Sequence, residues 1–573
     1  MRVVTKFLLF VLATGMALAQ ANPPSTSVND ELKSLREALA EQQKAMALQQ
    51  QQMEQQKQQM AVQQLRIEDL QKTLNAKTSG APRLENASLS NVPASNTPEV
   101  QSDADKAKES PLSFRIGGTE FTPGGFVDFE NVFRSTNATG VLPTGNPIAT
   151  SFGSIPFSNA VQGHLTEFKT TGQYSRYNLK VSGKYGANNV VGYIEGDFNG
   201  NDATNVFVTA NGHTNRLRLY WLDLKRGNWE FLGGSTWGLE TPNRVGLSPM
   251  PADLALGIGE DANVHVGIPY TRASEFRAVY HFNDNFQWGF AVQNPDQFVG
   301  SGEVIFPFAF NAQLGGQFDA ANQNGTPNAF PDFHTKAAWD TDINGRHLHW
   351  EVGGLTTSAK ITDLEPSNTP AAAFHSHAKI GGAVHSALSF EVLKGFRVLA
   401  NGMWGNGPGR YMIGLGPQAV VIPVNSGGNV CTPASGCGAE LSLVHAGALF
   451  VGSEIQAGKK SQLGFYYGGN YFQRSSFADI SNPANPTQPC LDTTILKPCA
   501  GFGGGNSPGS ANRAIQEGSI DWTQTFWKNP QYGAVLLVTQ ASYLTRAPWF
   551  VPAGAPKNAH LTMGFVSLRY VLP

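Results

Sequence analysis

Charged residues are scarce. Asp, Glu, Lys and Arg make up 15% of the 573 residues, and the formal net charge is −2. So small a balance sets up no global field of the kind that draws in nucleic acid, and so few charges suit a soluble helical enzyme poorly. Past the N-terminus no stretch reaches the roughly eighteen uninterrupted apolar residues of a transmembrane helix. That leaves membrane strands open, because only every second strand residue faces lipid. Cysteine is limited to Cys431, Cys437, Cys490 and Cys499, with no spacing of a structural zinc site. There is no nucleophile elbow, no glycine loop closed by Lys-Ser or Lys-Thr, and no zincin helix. The glycine cluster at 501–505 lacks the strand–helix context of a nucleotide site. No catalytic residue, cofactor or metal is therefore assigned, and the chain reads as a non-enzyme. What is abundant is glycine (62 residues) and aromatic side chains (10%), a mixture that fits many strands and many turns.

The first residues read as a secretory signal over 1–19. Arg2 and Lys6 precede an apolar run from Phe7 to Leu18, and Ala17-Leu18-Ala19 supplies a cleavage site before Gln20. Export implies an oxidising route, so local disulfides Cys431–Cys437 and Cys490–Cys499 are expected. Residues 30–76 carry a heptad repeat. One core row is Leu32, Leu39, Met46, Met53, Met60, Ile67 and Leu74; the other is Leu35, Gln42, Gln49, Gln56, Gln63 and Leu70. Both rows fall on one seam of an α-helix, a coiled coil roughly 65 Å long at 1.5 Å per residue. Three glutamine amides can bond to one another around a threefold axis, which favours a homotrimer. Residues 77–112, rich in Ser, Asn, Pro, Ala and Asp, read as a flexible linker.

Residues 113–573 read as an all-β transmembrane barrel of about 16 antiparallel strands. Short breaks fall at 186–189, 225–228, 283–285, 341–345, 392–395, 457–461 and 528–531. Long polar stretches alternate with them at 134–172, 199–215, 238–269, 294–332, 356–374, 405–441, 473–512 and 546–558. Strict succession of short and long connections marks a bacterial barrel with periplasmic turns and outer loops. A soluble sandwich would not keep the two kinds apart. Within strands the period is two: Phe286, Trp288, Phe290 and Val292 oppose Gln287, Gly289, Ala291 and Gln293, and Leu348, Trp350 and Val352 oppose His347, His349 and Glu351. The apolar sets should face lipid and the polar sets a wet lumen.

The segments Tyr193-Ile194-Glu195-Gly196-Asp197-Phe198, Arg216-Leu217-Arg218-Leu219-Tyr220 and Gly233-Gly234-Ser235-Thr236-Trp237 resemble the strand 3 to strand 5 region of DcaP-like porins. Phosphate-selective porins of the O and P type share much of the pattern. The resemblance covers nearly the whole mature chain: stalk, linker and sixteen strands. It implies a trimeric outer-membrane transporter with a periplasmic coiled coil and a preference for small anionic solutes.

Candidate pore-lining residues follow from the strands. A loop at 238–269, folded inward, would carry Arg244, Asp253, Glu260, Asp261 and His265. Arg176 and Lys180 on strand 2, Arg216 and Arg218 on strand 4, and Arg277 on strand 6 would form a basic ladder facing it. Glu195, Asp197 and Glu275 share that wall. Two His-x-His pairs, His347/His349 and His375/His377, are expected to be solvated lumen histidines, separated by about eight strand residues or roughly 25 Å. The reading is a passive diffusion channel for small hydrophilic, anionic solutes, dicarboxylate- or phosphate-like, in the bacterial outer membrane, with the stalk in the periplasm. Its expected partners are two further copies of the chain, membrane lipid, small solutes and, through the stalk, the cell wall; nucleic acid is not among them. The alternative is a structural or adhesive outer-membrane protein whose barrel is an anchor.

Overall fold

A computed structural model describes residues 110–138, 149–200, 214–250, 264–295, 329–365, 373–412, 416–424, 437–479, 499–505, 507–551 and 553–573, with scattered positions between 303 and 317. The signal, the heptad segment and nearly all of the linker lie outside the described residues.

Sixteen long strands form the wall: β1 (Thr119–Arg134), β2 (Arg176–Tyr185), β3 (Asn188–Asp197), β4 (Arg216–Arg226), β5 (Trp229–Trp237), β6 (Arg272–His281), β7 (Phe286–Gln293), β8 (Asp332–Ile343), β9 (Arg346–Glu365), β10 (Ala373–Leu393), β11 (Phe396–Asn406), β12 (His445–Gln456), β13 (Ser461–Phe472), β14 (Asn512–Asn529), β15 (Gly533–Pro548) and β16 (Ala559–Val571). Each pairs antiparallel with its sequence neighbours. β1 closes the ring on β16, with Phe126 opposite Val571 and Arg134 opposite Met563. The short strand Glu167–Thr171 extends β2 along the upper half of β1. Closure leaves no free edge. The two ends of the barrel segment meet, since the Ser110 hydroxyl donates to the Pro573 carbonyl at 3.1 Å.

All seven short turns occur where the breaks in the sequence place them. Their chemistry matches their geometry. At the β8–β9 turn Asn344 and Gly345 both have positive φ (53° and 72°), as a type I′ hairpin requires.

The period of two separates the faces. Trp288, Trp339, Trp350, Val352, Phe465, Val566 and Leu568 are exposed, whereas their neighbours Lys336, His349, Glu351, Glu517 and Asp521 are buried. Exposed aromatics gather near both ends of the wall: Tyr185, Trp229, Phe282, Trp527 and Tyr532 by the short turns, and Phe133, Phe168, Phe374, Trp404 and Tyr471 towards the long loops. Such girdles mark the two interfaces of a membrane barrel.

One long connection differs from expectation. The stretch 356–374 is not a loop throughout: β9 and β10 stay paired from Thr356 opposite Gly382 up to Glu365 opposite Ala373, leaving only 366–372 between them. This part of β9 is rich in Thr, Ser and Ala, so its alternation is faint in sequence. Its inner side is covered by a hairpin from the sixth long loop, Ala419–Val424 with Gly438–Leu443, whose Val420, Val421, Ala439 and Leu441 are fully buried. The Ala439 amide donates to Asp363 of β9 at 2.9 Å.

Candidate functional site

The connection after β5 organises the interior. Its described parts, 238–250 and 264–271, bond to the buried faces of distant strands. The Lys336 ammonium of β8 donates to the Thr241 carbonyl (2.8 Å) and Asn243 Oδ1 (2.9 Å), and pairs with Glu351 of β9 at 3.1 Å. The Asn243 amide donates to both oxygens of Glu351 at 3.3 Å. The Gly246 amide reaches Asp340 (3.0 Å) and the Leu247 amide reaches Gln287 of β7 (3.1 Å). Arg244 forks onto Glu454 of β12, one arm at 2.8 Å. Farther along, the Val266 amide donates to Glu517 of β14 at 3.0 Å. Here the loop backbone lies flat on the wall. A Cβ on Gly267 would sit 2.1 Å from the Leu449 carbonyl, and one on Gly468 would sit 1.8 Å from the Val266 carbonyl, so neither position admits a side chain. Backbone amides of an irregular segment need acceptors when buried. Wall carboxylates supply them.

Glu240, at the start of the loop, lies 3.0 Å from His334 Nδ1. Burial by itself would raise its carboxyl, but bonds and charge from His334, with a further bond from Thr271, outweigh that and hold it at about 2. His334 in turn meets the Tyr411 hydroxyl at 3.2 Å.

The opposite part of the wall is built from arginines on rings. Arg218 and Arg272 converge on Trp237, each 5.4 Å from the ring centroid. Arg176 and Arg569 share Phe126 and Tyr174, at distances of 4.4–5.4 Å. Tyr193 stacks on Trp221 at 5.3 Å below the Trp237 cluster. Ring faces fix guanidinium planes by cation–π attraction. Some of these charges are neutralised locally: Arg216 forks onto Asp197 (2.9 and 2.6 Å), Arg569 holds Asp128 (2.8 and 2.6 Å), and Arg218 pairs with Glu195. Arg176 and Arg272 carry no carboxylate partner among the described residues. Arg176, Arg216 and Arg218 are all charged neighbours of Arg272.

The residues singled out from sequence thus separate into groups. Arg176, Arg216 and Arg218 come together on one wall. Lys180 shares the face of Arg176 but is exposed, four residues nearer the short turns. Arg277 is buried, with its donors on Glu275, Thr236 and the Trp237 carbonyl. Arg244 is placed with the wall carboxylates instead of the arginines. Asp253, Glu260 and Asp261 lie outside the described residues, as do Cys431 and Cys490. Cys437 and Cys499 are both disulfide-bonded. His349 is not solvated: it is buried, with Nδ1 at 2.8 Å from Asp340 and Nε2 at 3.1 Å from Glu351. The two histidine pairs are also farther apart than expected. His375 sits opposite Asp363, sixteen residues along β9 from His347 (363 minus 347), on the order of 50 Å at about 3.4 Å per residue. Arg272, Arg569, Lys336 and Glu454 were missed. Lys336 shares a polar period with Asp332, His334 and Asp340, a signal present in the sequence. Arg569 required the closure onto β1 that brings it to Asp128.

No family model matches the chain, and no curated protein matches it in sequence. Solved structures do. The outer membrane channel DcaP of Acinetobacter baumannii superposes with a TM-score of 0.51 at 14% identity, covering 79% of this chain and 98% of that one. An anion-selective porin from Comamonas acidovorans gives a TM-score of 0.41 at 9% identity, over 79% of this chain and all (100%) of that one. OmpF of Salmonella typhi, in a complex with daunomycin, gives 0.41 at 10% identity, over 80% and 100%. At these identities the likeness is one of fold: a closed antiparallel barrel of the outer-membrane channel type.

Proposed function

We propose that this chain is an outer-membrane porin, a passive diffusion channel for small hydrophilic anions. The observation that carries the reading is the arginine wall. Arg176 and Arg272 sit against aromatic rings, have no carboxylate partner among the described residues, and are joined by Arg216 and Arg218, which pair with Asp197 and Glu195. Guanidinium forks of this kind match carboxylate or phosphate oxygens. The described parts of the connection after β5, 238–250 and 264–271, are held by carboxylates across the interior, and in this reading they narrow the path and bring solutes close to these charges. Within the Debye length, about 8 Å at physiological salt, wall charges still act on a passing ion. Lys336 and Arg244 tie the loop to the wall and neutralise Glu351 and Glu454, acids that would otherwise favour cations.

In this reading the heptad segment is a periplasmic stalk that joins three barrels, and the cysteines pair as Cys431–Cys437 and Cys490–Cys499. The experiment is a reversal potential across a KCl gradient with the refolded protein in a planar bilayer. Anion preference is the expected outcome. A cation-selective channel, or the absence of any conductance, rejects the assignment.

A further inference from the structure

Two of the wall carboxylates that hold the inner loop have a histidine between them. His349 of β9 is fully buried, with Nδ1 at 2.8 Å from Asp340 of β8 and Nε2 at 3.1 Å from Glu351 on its own strand. A neutral imidazole carries one N–H, so with both nitrogens against carboxylate oxygens it would aim a lone pair at one of them. Both nitrogens therefore carry hydrogen, and the ring is an imidazolium. Charge balance agrees. Asp340 and Glu351 are buried acids, Lys336 pairs with Glu351 at 3.1 Å, and the imidazolium supplies the second cation.

His347, two residues away on the same face, needs no second proton. Its Nε2 has two acceptors, Asp340 and the Arg244 carbonyl, each at 3.3 Å, which one N–H serves. Its Nδ1 stands 3.6 Å from the exposed Asp342, too far for a hydrogen bond. The other charged neighbours come from several elements. His385 of β10 lies near Glu351, Arg397 of β11 near His347, and Glu240 and Arg277 near Lys336. The Arg244 guanidinium of the loop is committed to Glu454.

The two acids on His349 also carry the loop. Asp340 accepts the Gly246 amide at 3.0 Å, and Glu351 accepts the Asn243 amide at 3.3 Å. Loss of the His349 proton would leave one buried negative charge in excess and a lone pair against a carboxylate. An uncompensated buried charge is strongly unfavourable without water, and water reaches these acids once the loop lifts from them. We propose that His349 is a positioning residue, an imidazolium clamp that holds residues 243–246 on the wall and releases them as pH rises. The clamp stands on geometry, and only its consequence, a wider solute path, rests on the channel reading.

The test is a spin label on Val245→Cys, an exposed loop position, in the full-length protein refolded into liposomes, with conductance recorded in parallel. Cys437 and Cys499 are disulfide-bonded and do not take the label. Raising pH from about 6 to about 9, a window that begins near the ordinary histidine value, should mobilise the label severalfold and raise conductance. His349→Gln lacks the charge at every pH, so its label should be mobile throughout. His349→Arg keeps a charge at every pH and should hold the label still throughout, which separates the clamp from general disruption. His347→Gln should respond as wild type does. A wild-type label equally immobile at both pH values overturns the clamp. So does a pH response that survives in both His349 variants, or one that is lost with His347 instead. A label that responds as expected in a protein that conducts nothing upholds the clamp and rejects the channel reading.

Discussion

The two halves of the interior use one strand pattern for opposite ends. Along β8, β9, β12 and β14 the inward charges are committed. Lys336, Glu351, Asp340, Glu454 and Glu517 all bond to the loop that crosses from β5. Along β1, β2, β4 and β16 the inward charges rest on aromatic rings and are only partly neutralised. A polar inner face therefore does not by itself mark a solute path. What separates the halves is whether an irregular backbone segment needs the charges. A loop carries unpaired amides, so it settles against carboxylates and leaves the arginines on the far side.

The sharpest way to break this contrast is to remove the central anchor. Lys336→Ala takes the ammonium from buried Glu351, which keeps His349 and the Asn243 amide, and leaves the Thr241 carbonyl without that donor. A loss of about 3–5 kcal/mol in unfolding free energy is expected, the usual cost of breaking a buried ion pair by removing one partner. Single-channel conductance should rise as residues 238–250 come away from the wall. A channel of unchanged conductance would mean that the loop is held elsewhere.

The pH dependence of stability tests the same half. The Glu240 carboxyl is depressed in the folded protein, from about 4.5 to about 2. The stability it contributes is complete above the unfolded value and is lost as pH falls from about 4.5 towards about 2, in all about 3 kcal/mol. Denaturant unfolding at pH 6 and pH 3 should show this loss, and Glu240→Gln should flatten it. An equal pH dependence in the variant would exclude Glu240 as its source.

On the other half, the paired change Arg176→Ala and Arg272→Ala should cost less stability than Lys336→Ala, because no ion pair among the described residues is broken. It should move the reversal potential towards cations. The expected change in permeability ratio is several-fold, about that of removing two charges near a constriction. Unaltered selectivity would assign the preference to other residues.

The smallest effect is expected for a neutral anchor. Gln287→Ala removes the acceptor of the Leu247 amide at 3.1 Å. About 1 kcal/mol is expected, with conductance near wild type. A loss as large as that of Lys336→Ala would erase the distinction between charged and neutral anchors.

Much of the barrel was legible because alternation and turn chemistry are local. Phe286, Trp288 and Phe290 face outward as their period demands, and Asn344-Gly345 turns where positive φ is cheap. The extension of β9 to Glu365 was hidden, because Thr, Ser and Ala alternate weakly and the hairpin that covers them lies more than fifty residues on. The candidate site was legible only in part. Arg176, Arg216 and Arg218 declare a basic face, yet their standing differs through partners that sequence spacing does not reveal.

Sequence alone determined that the chain builds a wall with an apolar side and a polar side, because a pleated strand turns successive residues to opposite faces whatever surrounds it. It determined the strand number as well, since each reversal needs its own turn residues. Only the tertiary structure decided which polar residues are committed and which remain for a solute. That choice depends on long-range partners: Glu351 receives Asn243 and Lys336, Glu454 receives Arg244, and Arg272 receives no carboxylate among the described residues. Ring closure and loop packing set those encounters, and neither follows from a period of two.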